Sequence, residues 1–137
     1  MARRGLMRQG TLVLDCEGLS GFVSDQPPVV ALVAEARSRG MEVVTSSLTL
    51  VEATHRRTNQ ARLAWLLSGM RIVHVGEEEA RAASTMLVAA GLHGHKYAID
   101  AVVAEMAVRQ QRPVVMLTSD IDDMARFCGD RVRLVAV

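Results

Sequence analysis

Thr11-Leu12-Val13-Leu14-Asp15 is the stretch whose reading decides the fold. Its first four residues run apolar or β-prone with no polar alternation, which suits a strand buried on both faces of a parallel sheet. Pro113 to Thr118 repeats the pattern late in the chain and is followed by Ser119-Asp120. Glu42-Val43-Val44-Thr45 reads as another strand, as does Arg71 to Val75, closed by Gly76, and Val132 to Val137 as the last. Helical signals separate these runs. Pro27 and Pro28 sit where a first helical turn tolerates proline, Val29, Val30, Leu32, Val33 and Ala36 form an apolar face, and Gly40 stops it. A helix is expected from about Leu48 to Arg57, and another from Asn59 to Leu67 capped by Thr58 or Asn59. Glu77-Glu78-Glu79 opens the next, with a stripe of Ala80, Ala83, Leu87 and Ala90 and a stop at Gly91. After a loop around Gly94, Ala98 to Gln110 is helical, with Ile99, Val102, Val103 and Met106 toward the core and Glu105–Arg109 as an outward i,i+4 pair. Strands alternating with helices predict an α/β protein: a three-layer α/β/α sandwich around a parallel sheet of about five strands.

Composition narrows the function. The 137 residues allow one domain, read as 11–137, behind a basic N-terminal lead, 1–10, that is a candidate for disorder. Sixteen Lys+Arg against fifteen Asp+Glu leave a formal charge of +1, which excludes binding driven by bulk positive charge. Aromatic residues are 3% of the chain, too few for base-stacking platforms. No apolar run is long enough to span a membrane, and Arg3, Arg4 and Arg8 precede no signal-peptide core, so a cytoplasmic protein is expected. Cys16 and Cys128 form no metal-binding spacing and fit a reducing compartment as small buried hydrophobes.

In open parallel sheets, ligands gather beyond the carboxyl ends of the strands, where the strand order reverses. Asp15 and Asp120 both follow strands, although either alone is equally well a cap or turn former. Asp100 falls in the first turn of its expected helix, beside the buried stripe, where complementing the helix dipole is the bland explanation. Glu52 lies mid-helix on the apolar side, which is unusual for an unpaired Glu, and an i,i+4 pair with Arg56 is the alternative. Asp122 and Asp123 form no calcium loop; one starts a short helix and the other is free to join a metal site. Glu77-Glu78-Glu79 is explained by the helix dipole. The Glu52–His55 spacing supplies half of a di-iron motif and lacks the rest. His93 and His95 have no ligand partners at zinc spacing.

The ordered set Asp15, Glu52, Asp100 and Asp120, with Asp123 three residues on, resembles the PIN-domain ribonucleases, and most closely the VapC-type toxins of bacterial toxin–antitoxin pairs. The segments that carry it are Leu12 to Asp15, Thr45 to Glu52, Tyr97 to Ala101 and Val115 to Asp120, so it covers the chain after Gly10. It departs from the family's pattern at Cys16, where a small hydroxyl residue or Ala is usual, in its longer basic lead, and in the basic loop His93 to Lys96. The resemblance implies strand order 3-2-1-4-5 and metal-dependent endoribonuclease activity leaving a 3′-hydroxyl and a 5′-phosphate. It also implies an RNA substrate, an antitoxin partner and a homodimer. Asp15, Asp100 and Asp120 would hold Mg²⁺ or Mn²⁺. Glu52 would orient or deprotonate water or bind a second ion, and Asp123 is a further metal candidate. Oxygen-loving divalent ions suit converging carboxylates, which cannot all stay ionised uncompensated. Arg56, Arg57, Arg62, Lys96 and Arg126 are candidates for the substrate path, each equally an ordinary solvated charge. Two other readings stand beside this one: a non-catalytic PIN-like binding or scaffold domain, and a phosphoacceptor receiver domain. The latter needs an Asp ending the third strand and a late-strand Lys. The third strand ends in Val75-Gly76 and Lys96 is the only lysine, so it is set aside.

Overall fold

The computed structural model describes residues 9–137. The basic lead therefore lies almost wholly outside the described residues. The strands are β1 (Thr11–Leu14), β2 (Glu42–Ser46), β3 (Arg71–Val73), β4 (Val114–Thr118) and β5 (Arg133–Ala136). All neighbouring pairs are parallel, in the order β3-β2-β1-β4-β5. The helices are α1 (Cys16–Val23), α2 (Pro27–Ser38), α3 (Ser47–Ala53), α4 (Gln60–Leu67), α5 (Glu77–Ala90), α6 (Gly94–Val108) and α7 (Ile121–Cys128). The expected three-layer sandwich, and the strand order that the resemblance implied, are both present.

Period-two alternation along the central strands sorts their side chains into two cores. Val13 and Met116 face α5, α6 and α7, packing with Val103, Met106, Met124 and Phe127. Leu12, Leu14 and Leu117 face α1, α2 and α4, packing with Leu19, Phe22, Val29, Val33 and Leu66. Both faces of β1 and β4 are therefore covered, which is why their sequences read as unbroken apolar runs.

Several elements depart from the sequence reading. α1 had no sequence signal: Gly18, Ser20 and Gly21 interrupt any apolar stripe. The structure explains Gly18, where a Cβ would stand 3.0 Å from the Leu117 carbonyl oxygen, so α1 lies close against β4. α3 ends at Ala53, short of the expected Arg57. Thr54 turns extended (φ −81°, ψ 131°), its hydroxyl donates to the Leu50 carbonyl, and the Thr58 hydroxyl accepts from the His55 N–H. α6 begins at Gly94, four residues before the expected start, with Tyr97 N–H donating to the His93 carbonyl. Glu105 does not face outward: it is buried, at 6% exposure, and its carboxylate takes the Arg109 guanidinium at 2.5 Å. Among the described residues, no helix is long and apolar enough to cross a membrane.

Candidate active site

The chain leaves β1 toward β2 and β3 on one side and returns through β4 to β5 on the other, so the order reverses between β1 and β4. Their register pairs Val13 with Met116. Two residues further, on the same face, alternation brings Asp15 beside Thr118, and the Thr118 hydroxyl donates to Asp15 Oδ2 at 2.8 Å. The same hydroxyl accepts from the Asp120 N–H at 3.0 Å, so one threonine ties the two strand ends together. Asp15 is 2% exposed and its second oxygen, Oδ1, is buried without a protein partner. An orphaned carboxylate oxygen costs desolvation energy unless a cation or a donor meets it.

α6 packs on this face and supplies Asp100 from its second turn. The first-turn placement expected from the sequence is therefore corrected, and dipole complementation loses its force because the effect fades within one turn. Asp15, Asp100 and Asp120 each offer an oxygen, and the three oxygens lie within 4.8 Å of one another. That cluster fits a hard divalent cation: three carboxylate donors, one of them buried with an oxygen to spare.

Glu52 and Asp123 lie outside that triad but line the same 310 Å³ cavity as Asp100 and Asp120. Glu52 is exposed, the penultimate residue of α3, rather than mid-helix on an apolar side. The chain departs from the helix at Thr54, so no ion pair with Arg56 forms among the described residues. The acids feel one another. Burial pushes the Asp100 carboxyl up to about 7, and the charges of Asp15, Asp120, Glu52 and Asp123 add to the effect. Burial also raises Asp15, opposed by the Thr118 hydroxyl and the Cys16 N–H; Glu52, exposed as a residue but with its carboxyl partly shielded from solvent by the cavity, is raised by that partial desolvation and by the Asp15 charge. Burial, then the Glu52 and Asp15 charges, push the Cys16 thiol up to about 12. It therefore stays protonated beside Glu52, a placement of Cys16 that the sequence did not suggest. Thr118 was also missed; the signal that could have found it is its place one alternation step beyond Met116 on a strand ending in Asp.

The remaining candidates separate clearly. Arg62 is tied to the end of α1, donating to the Val23 carbonyl at 2.7 Å and pairing with Asp25 at 3.3 Å, and does not line the acidic cavity. Arg57 and His55 line a different cavity, against Leu19 and Leu63. Lys96 alone of the five basic candidates lines the acidic cavity. The acidic triplet that opens α5 caps it: Glu79 accepts the Gly76 N–H at 2.9 Å, and Glu77 pairs with Arg81.

The architecture is that of a three-layer parallel α/β protein with an acidic cluster at its topological switch point. No family model matches the chain, and no curated protein matches it significantly. Solved structures do. A chain of the crystal structure of VapBC2 from Rickettsia felis, bound to a DNA fragment from their promoter, superposes with a TM-score of 0.67 at 18% identity, covering 93% of this chain and 98% of that one. A chain of FitAB bound to the IR36 DNA fragment superposes with a TM-score of 0.65 at 21% identity, covering 92% and 94%. The fold is shared along nearly the full length of each.

Proposed function

We propose that this protein is a metal-dependent endoribonuclease, hydrolysing RNA phosphodiester bonds, and that it is the toxin of a toxin–antitoxin pair. The observation that carries the reading is the convergence of Asp15, Asp100 and Asp120 within 4.8 Å at the switch point of the sheet. These three would hold Mg²⁺ or Mn²⁺, with Asp123 as a further ligand. A divalent ion held there would supply positive charge to offset the scissile phosphate and to acidify a water molecule. Glu52, outside the triad but lining the same cavity, orients the attacking water and accepts its proton. Thr118 holds Asp15 and the Asp120 backbone in register. Cleavage adds water across the P–O3′ bond: the hydroxyl goes to phosphorus, giving a 5′-phosphate, and the proton to the departing 3′-oxygen. The structural neighbours, chains of the VapBC2 and FitAB structures, support an antitoxin partner. A homodimer and a cytoplasmic location complete the reading.

The test is cleavage of a mixed RNA pool by antitoxin-free protein with Mn²⁺ or Mg²⁺. Wild type should cut and chelator should stop it, while Asp100→Asn should lose on the order of a hundredfold or more in rate with its fold intact. A well-folded wild type that cuts no RNA and binds no divalent ion would return the scaffold reading to first place.

A further inference from the structure

The cavity beside the acidic triad carries one feature that metal binding does not explain. Lys96, the only lysine of the chain, lines it together with Glu52, Asp100, Asp120 and Asp123. A flexible ammonium beside so many carboxylates would be expected to close onto one of them. Among the described residues it pairs with none. Its Nζ instead sits 5.1 Å from the centroid of the Tyr97 ring, which attracts a cation without neutralising it. Local stability does not account for the residue either. Lys96 is in the first turn of α6, where the helix dipole disfavours a cation and where this helix carries no acid. The contact with the Tyr97 ring offsets that cost and leaves the ammonium free of the carboxylates.

We propose that Lys96, parked over Tyr97, is a substrate-positioning residue: its ammonium takes a non-bridging oxygen of an RNA phosphate on the α6 side of the cavity. This rests on the nuclease reading. The tyrosine ring keeps the ammonium off the carboxylates, so the acids remain available to a divalent ion while the lysine meets the strand. The net charge of +1 gives such a contact unusual weight, because little diffuse positive charge competes with it.

The experiment compares wild type, Lys96→Met and Lys96→Arg with Mn²⁺ and a labelled single-stranded oligoribonucleotide, measuring cleavage against RNA and salt concentration. Melting with Mn²⁺ alone is measured in parallel. Lys96→Met should raise the half-saturating RNA concentration about fivefold, the scale of one exposed ionic contact. It should reduce the slope of log affinity against log salt by about 0.7, leaving the saturating rate and the Mn²⁺-induced melting shift unchanged. Lys96→Arg should keep most of the affinity. An unchanged half-saturation and salt slope in Lys96→Met would overturn the proposal while leaving the nuclease reading in place, as would a fall in saturating rate alone. Wild type that shifts with Mn²⁺ yet neither cuts nor binds RNA would instead remove the nuclease reading and the proposal with it.

Discussion

Asp15 and Asp100 meet the same cluster from different surroundings. Asp15 is buried and held by Thr118, whereas Asp100 is half-buried and crowded by four other acids. The carboxyl of Asp100 titrates near 3.8 in an unfolded chain and near 7 in the metal-free fold. Between those values the folded protein holds a proton that the unfolded chain has lost, so stability falls as pH rises from about 4 to about 7. In chelator, Asp100→Asn should flatten that part of the stability profile relative to wild type and melt about 3 °C higher at pH 7.5, as paired thermal scans would show. Thr118→Val should cost about 2 kcal/mol in urea unfolding, because a buried carboxylate oxygen and the Asp120 N–H lose their shared partner. Thr118→Ser should recover most of it. At this scale Asp15, Asp100 and Asp120 were legible as strand-end or helix acids. The hydroxyl between two of them was not, because its role depends on a register between strands separated by a hundred residues.

The elements differ in how openly their sequences announce them. β1 and β4 are visible because burial on both faces removes polar alternation. α1 is hidden because the close approach to β4 demands glycine at position 18, and glycine erases helical signal. Gly18→Ala would bring a methyl group to 3.0 Å from the Leu117 carbonyl and 3.1 Å from its Cβ. It should destabilise the protein by about 1–3 kcal/mol despite alanine's better helix propensity, read from the urea midpoint. The early start of α6 moved Asp100 from a first turn to a second, and with it removed the dipole as an explanation. The early end of α3 exposed Glu52 and separated it from Arg56, since a helical spacing pairs two residues only while the helix lasts.

At the scale of the whole molecule, a near-neutral charge conceals a local concentration of acids at one end of the sheet. Any ion that binds this cluster only in the folded state stabilises the fold by mass action. Mn²⁺ at a hundredfold excess over its dissociation constant should add about 2.7 kcal/mol, visible as a rise in melting temperature. Asp15→Asn should abolish the rise; a wild type that does not respond would remove the metal site. What the sequence alone determined is the class of architecture and the order of the acids, because double-sided burial and helix punctuation are written in neighbouring residues. The tertiary structure decided which acids share one ion-sized space, that Arg62 serves α1 and not the cavity, and that Lys96 stands beside the carboxylates with no ion pair among the described residues. Those facts follow from sheet order and helix packing, which join residues far apart in the chain and leave no local trace in it.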